Sequence, residues 1–394
     1  MRKSLNENET YLISILKSVL HGLPVEETPE NVNMETVFRI AHFHSVANMA
    51  YYAVKNMKNL SPELLKKWKE EYDKAQLKDV VQRIELNLIS KTFEQEGIDH
   101  LPVKGFVLKE LYPKSDMRAM SDLDILIPPD KAQNARDAMV KIGYTVEHYD
   151  GGVQDVYFKP PVMNVEIHNN LFMEAMKNSV DYYKEFAKKL FSENSKTRRR
   201  YISDEEAYAY VIAHTSKHYR GGGTGIRSVL DVYVLCEKKP ELVSSERFLN
   251  ILKEQKLLEF FKHISNLSKV WFGDMESTPL YDEMGAYVMI SGTYGTRTGE
   301  ILNRVSEDYK GSLAKSKVSN VMKRCFPPLY IMKTQYRWLK KYPWLLPVSY
   351  PMRFGAVLVH RRKNLDVFSN TANVSEEEAK QINTLHKNTG IFTD

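Results

Sequence analysis

Two aspartates one residue apart inside an apolar run, Ser121-Asp122-Leu123-Asp124-Ile125-Leu126-Ile127, are the residues of this chain whose type and spacing speak most directly of chemistry. Aspartate is depleted in β-strands, so two in one strand need a cause. Side chains alternate along a strand, which puts Asp122 and Asp124 on one face and Leu123 and Ile125 on the other. Like charges held together either raise their own pKa or hold cations, and divalent metal is the usual remedy where carboxylates converge. A third acid follows in Asn164-Val165-Glu166-Ile167-His168, where Val165 and Ile167 take the core side and leave Asn164, Glu166 and His168 on the other. If the two strands are neighbours, Asp122, Asp124 and Glu166 converge as two-metal phosphoryl transfer requires, with two Mg²⁺ ions clamping the attacking and leaving oxygens.

Lys104-Gly105 stands at a strand end before a helix, where glycine lets a phosphate approach backbone N–H groups and the helix N-terminus favours anions. Arg118, four residues before the first aspartate, has a planar fork that suits a triphosphate. His168 has three readings: an extra metal ligand, a base assisting the nucleophile, or a hydrogen-bonded strand histidine. His214 and His218 share a helix face, but no third ligand accompanies them at zinc spacing. The glycine-rich stretch 291–299 has two readings, a cradle for an anion or an ordinary interhelical loop, and the lack of the Gly-Lys-Ser/Thr of a P-loop favours the loop. The basic run 196–200 reads as a solvated linker rather than an RNA contact.

The elements that must position these residues follow from periodicity. Residues 1–97 read as helices: 35–55 has apolar positions at helical spacing, and Ser61-Pro62 opens a helix of about 35 residues that runs to Gly97. Residues 98–172 mix strands and helices. Strands are expected at 101–103, 122–127 and 144–148, a helix at 129–142, and a hairpin of 153–158 with 162–168 around Pro160-Pro161. Residues 173–394 read as helical, with helices at 204–219, 226–236, 246–272 and 280–290. The fold class is α+β, a small mixed sheet embedded in a largely helical protein.

At 394 residues, 43% hydrophobic and 27% charged, the chain reads as folded and globular. A net charge of +6 suits an anionic partner such as a nucleotide, nucleic acid or phosphorylated glycan. Two cysteines, Cys236 and Cys325, exclude a disulfide framework and a zinc knuckle and make a reducing cytoplasm the expected setting. No signal peptide or integral membrane segment is expected. The apolar segment 344–360 is interrupted by Pro347, Pro351 and Arg353 and reads as covering the core, with a peripheral membrane contact as the lesser alternative.

The segment Val103-Lys104-Gly105, with Arg118-Ala119-Met120-Ser121-Asp122-Leu123-Asp124-Ile125-Leu126, resembles the core of the bacterial nucleotidyltransferases of polymerase-β-type fold. His214-Thr215-Ser216-Lys217-His218 and Ile226-Arg227-Ser228-Val229-Leu230-Asp231-Val232 resemble the helix pair after the palm in those proteins and in abortive-infection toxin nucleotidyltransferases. The resemblance implies catalytic and metal-holding roles for Asp122, Asp124 and Glu166, and nucleotide-binding roles for Lys104, Gly105, Arg118, Lys217 and Asp231. It further implies an NTP substrate, and leaves tRNA, a protein or a small-molecule or glycan precursor as the acceptor. Many relatives carry serine after the glycine where this chain has Phe106, so a nucleotide-binding or scaffold protein that has lost turnover is the alternative.

Overall fold

The computed structural model describes residues 2–103, 105–148, 154–172, 176–359 and 369–391; Lys104 falls outside them. The chain opens with α1 (Glu7–His21), α2 (Met34–Phe43), α3 (Ala47–Val54) and α4 (Pro62–Gln95). Ser61 caps α4 by accepting from the Leu64 N–H, Pro62 takes the first turn, and the helix then runs 34 residues. The single helix expected over 35–55 is broken at Ser45, whose φ is +53°. The reason is tertiary. The buried His44 ring is held between distant helices, its Nε2 donating to the Met289 carbonyl at 3.1 Å and its Nδ1 accepting from the Ile226 N–H at 3.2 Å.

β1 (Leu101–Pro102), α5 (Gly105–Lys109), β2 (Leu123–Leu126), α6 (Ala132–Lys141), β3 (Thr145–His148), β4 (Gln154–Lys159) and β5 (Met163–His168) form the mixed unit. Their sheet has the order β1-β2-β5-β4-β3, with β2 and β5 parallel and every other neighbouring pair antiparallel. A parallel pair needs a long crossover, which α6, β3 and β4 supply. On one face Leu123, Ile125, Val165 and Ile167 pack with Leu86, Ile89 and Phe93 of α4 and with Ala135 and Met139 of α6. That covered face leaves the other for chemistry.

The rest is helical: α7 (Lys177–Ser192), α8 (Asp204–Gly221), α9 (Ile226–Lys238), α10 (Pro240–Val243), α11 (Glu246–Glu254), α12 (Leu258–Phe272), α13 (Pro279–Ser291), α14 (Arg297–Glu307), α15 (Leu313–Cys325), α16 (Leu329–Gln335), α17 (Trp338–Lys341), α18 (Leu346–Val359) and a closing helix Glu376–Asn388. The helix expected over 246–272 is two, α11 and α12, divided at Lys256, whose φ is +57°. One hydrophobic core draws Leu12 and Trp68 together with Ile226, Phe260 and Tyr287, so both helical regions share it. The basic run is not a free linker: the Arg198 and Arg199 N–H groups donate to Glu94, and buried Arg200 meets Asp99 at 3.2 Å. In the described part of the segment expected to cover the core, Trp344, Val348 and Met352 are exposed.

Burial lowers the His44 pKa from its ordinary 6.5 to about 4, against the pull of the Met289 carbonyl. The unfolded chain therefore takes up this proton first as pH falls, so the stabilisation is complete above 6.5 and is lost on the way down to about 4. Urea unfolding between pH 7 and 4 should show this group removing about 3 kcal/mol, and His44→Gln should abolish that part of the slope.

Candidate active site

In the parallel pair Asp124 of β2 lies directly opposite Glu166 of β5, and Leu126 opposite His168. Alternation then places Asp124, Glu166 and His168 together on the face turned away from α4 and α6. Asp122 stands one residue before β2, at even spacing from Asp124. The His168 imidazole Nε2 hydrogen-bonds Asp124 Oδ1 at 2.6 Å and lies 3.5 Å from Glu166 Oε2. One ligand atom from each of Asp124, Glu166 and His168 falls within 4.8 Å of the others, and Asp124 and His168 are buried. Two carboxylates and an imidazole fit a divalent cation: the hard oxygens suit Mg²⁺ and Mn²⁺, and the nitrogen widens the choice toward later transition metals.

These acids border a cavity of about 260 Å³. Its sheet wall is Asp122, Asp124, Glu166 and Gln154; α8 supplies His214, Lys217 and His218; α9 supplies Arg227 and Asp231. Of the residues singled out from sequence, Asp122, Asp124, Glu166, Gly105, Arg118, Lys217 and Asp231 all border this one space, while Lys104 lies outside the described residues. The two histidines of α8 approach each other, Nε2 to Nε2, at 3.2 Å.

Arg118 differs from the expectation of a fork reaching for phosphate. Its Nε and Nη2 donate to the two oxygens of Asp231 at 2.7 and 2.9 Å, and the Tyr112 hydroxyl donates to the same carboxylate at 2.8 Å. All three are buried. This leaves Nη1 toward Gly105, where an added Cβ would come within 2.6 Å of it and 2.7 Å of Met120 Sδ. Glycine at 105 thus has a steric cause: the Arg118 and Met120 side chains occupy the space a larger residue would need.

Three further residues bear on the site: Arg227 and Tyr294 border the cavity, and Lys78 supports the backbone behind Asp122. Lys78, from the middle of α4, donates to the Ser121 carbonyl, and burial pushes its ammonium below the ordinary range while the charge of Asp122 pulls it back. Arg227 donates to the Ala119 carbonyl at 3.0 Å and lies 5.1 Å over the ring of Tyr294, whose hydroxyl hydrogen-bonds that of Ser121. Tyr294 and Thr293 bring the 291–299 loop to the cavity, which an ordinary interhelical loop would not do. The loop gets there by backbone contact: Gly295, at φ +80°, has room only for hydrogen against Gly222. The Gly221-Gly222-Gly223 run was the available signal, as a place where another backbone could approach.

Residues 30–273 match the model of a family described as an uncharacterised nucleotidyltransferase, a span of well over half the chain. No curated protein and no solved structure matches.

Removing one partner of a buried ion pair strands the other charge. Asp231→Ala should therefore cost about 3–5 kcal/mol of unfolding free energy, measured by denaturant titration.

Proposed function

Because the chain belongs to this nucleotidyltransferase family, we propose that it moves a nucleoside monophosphate from an NTP to an acceptor hydroxyl or phosphate, with Mg²⁺ bound and pyrophosphate released. The observation that carries the reading is Asp124 directly opposite Glu166, with Asp122 and His168 beside them at one cavity. Asp122 and Asp124 would hold two ions and Glu166 one of them, with His168 positioned to add a nitrogen. Bound Mg²⁺ supplies positive charge that offsets the charge developing on the transferring phosphoryl group.

The chain's own groups do the rest. The acceptor oxygen bonds to the α-phosphorus as the bond to the β-phosphate bridging oxygen breaks. With a hydroxyl acceptor, Glu166, less buried than Asp124, would receive the acceptor's proton. Lys217 and Arg227 on the helical wall supply cations for the triphosphate. Arg118 acts through Asp231, holding the lead-in to β2 against α9, and turns its remaining nitrogen toward Gly105. The acceptor belongs to tRNA, a protein, or a small-molecule or glycan precursor. Steeply salt-dependent tRNA binding separates the first of these from the others.

Incubation with each α-labelled NTP, Mg²⁺ and cell extract should label an acceptor. EDTA should abolish labelling and Mn²⁺ restore it. Asp124→Asn and Glu166→Gln should each lower the rate about a hundredfold or more, the scale of losing one transition-state-stabilising group. Equal labelling by wild type and Asp124→Asn would sink the proposal, and NTP binding without pyrophosphate release would make the chain a nucleotide-binding scaffold.

A further inference from the structure

The strongest charge asymmetry lies outside the stretch that matches the family. Between Asp308 and Asp366 the sequence carries 13 Lys and Arg and no Asp or Glu. With those 13 set aside, 43 Lys and Arg face 50 Asp and Glu, so the net charge of +6 is owed to this one segment and the remainder is acidic. A protein so divided is oriented by an anionic surface, which attracts one end and repels the other.

The same segment exposes large apolar side chains in order. Val318, Met322 and Phe326 recur every four residues along and just beyond α15, and are 62%, 51% and 45% exposed. Trp344, Val348 and Met352 recur likewise from the turn Pro343–Leu345 into α18, and are 73%, 56% and 52% exposed. Four-residue spacing keeps each trio on one side of its helix. The Phe326 ring packs against Tyr350 at 5.2 Å and Phe354 at 5.8 Å, which joins the end of α15 to the side of α18 opposite Val348 and Met352. Lys315, Arg337, Lys340 and Lys341 are exposed among them. Apolar patches of this kind mark a surface that meets something.

We propose that the stripe of Trp344, Val348 and Met352, with Lys340 and Lys341 just before it, is a face that docks onto an anionic membrane surface. Its tryptophan, valine and methionine side chains enter the boundary between headgroups and acyl chains, and its two lysines meet the lipid phosphates. The aliphatic residues favour lipid over nucleic acid. Aromatic rings and basic groups serve RNA, but exposed valines and methionines add nothing to stacking or phosphate contact. The face lies on the bilayer rather than crossing it: among the described residues no helix is long and apolar enough to span, and the 14-residue α18 carries Pro351 within it. This proposal rests on the surface alone and is independent of the reaction at the cavity.

The test is co-sedimentation of the full chain with phosphatidylcholine vesicles, with and without phosphatidylserine, at low and high salt. Binding is expected only with phosphatidylserine and should weaken as salt rises. Each lysine near an anionic leaflet contributes about fivefold to partitioning, so Lys340→Glu with Lys341→Glu should weaken binding more than about tenfold. Trp344→Ser with Val348→Ser and Met352→Ser should also weaken it, with an unchanged circular dichroism melt. Quenching of wild-type tryptophan fluorescence by brominated lipid needs no substitution, since of the four tryptophans Trp68 and Trp271 are buried and the half-buried Trp338 lies in the same basic segment as Trp344. Absence of wild-type binding to phosphatidylserine vesicles, or binding unaffected by the apolar triple substitution, would overturn the proposal. Salt-dependent tRNA capture through Lys340 and Lys341 without vesicle binding would give the face to nucleic acid instead.

Discussion

Two carboxylates directly opposite each other on adjacent parallel strands, about 4.8 Å apart in backbone spacing, are the constraint around which this molecule is arranged. Carboxylates brought together in this way repel when both are ionised, because a partly buried setting screens them poorly. The fold holds them there all the same. The far face of the sheet is clamped by α4 and α6 through Leu123, Ile125, Val165 and Ile167, which leaves the acids no freedom to turn away. The His168 ring lies between them, and the ammonium of Lys78 stands beside Asp122. A site that spends packing energy to keep negative charges together is suited to a ligand that brings positive charge with it.

The second organising contact is the ion pair of Arg118 with Asp231. It connects the loop that leads into β2 with α9, so the sheet and the helical wall of the cavity are registered by two charge-assisted hydrogen bonds. A buried pair of this kind adds little net stability, because desolvation offsets most of the attraction, but it punishes any other arrangement. Tyr112 and Gly105 belong to the same device, one by donating to Asp231 and the other by giving way to Arg118 and Met120. The consequence for function is positional: the residues nearest the acids are fixed from three elements at once.

Much of this was legible in the residues themselves. The alternation around Asp122, Asp124 and Glu166 is a local pattern of period two, and so are the strands and the Pro160-Pro161 hairpin. The capped start of α4 is equally local. What the sequence hid was set by distant contacts. Ser45 breaks a helix because His44 is tied to Met289 and Ile226, and Arg118 turns to Asp231, 113 residues away. Lys78 and Tyr294 reach Ser121 from 43 and 173 residues away, for which no spacing rule exists. The apolar segment from Trp344 reads as covering the core, but hydrophobicity alone does not say which side of a helix is covered, and Trp344, Val348 and Met352 are exposed.

The parallel pairing of β2 with β5 makes sense if the acids, together with a divalent cation, bind a triphosphate. Calorimetric titration of the full chain with non-hydrolysable NTP analogues, in Mg²⁺ and again in EDTA, measures that most directly. The account predicts binding in Mg²⁺ that is lost in EDTA and weakened in Glu166→Gln. Equal affinity with and without the divalent cation, or no binding of any of the analogues in Mg²⁺, would contradict it.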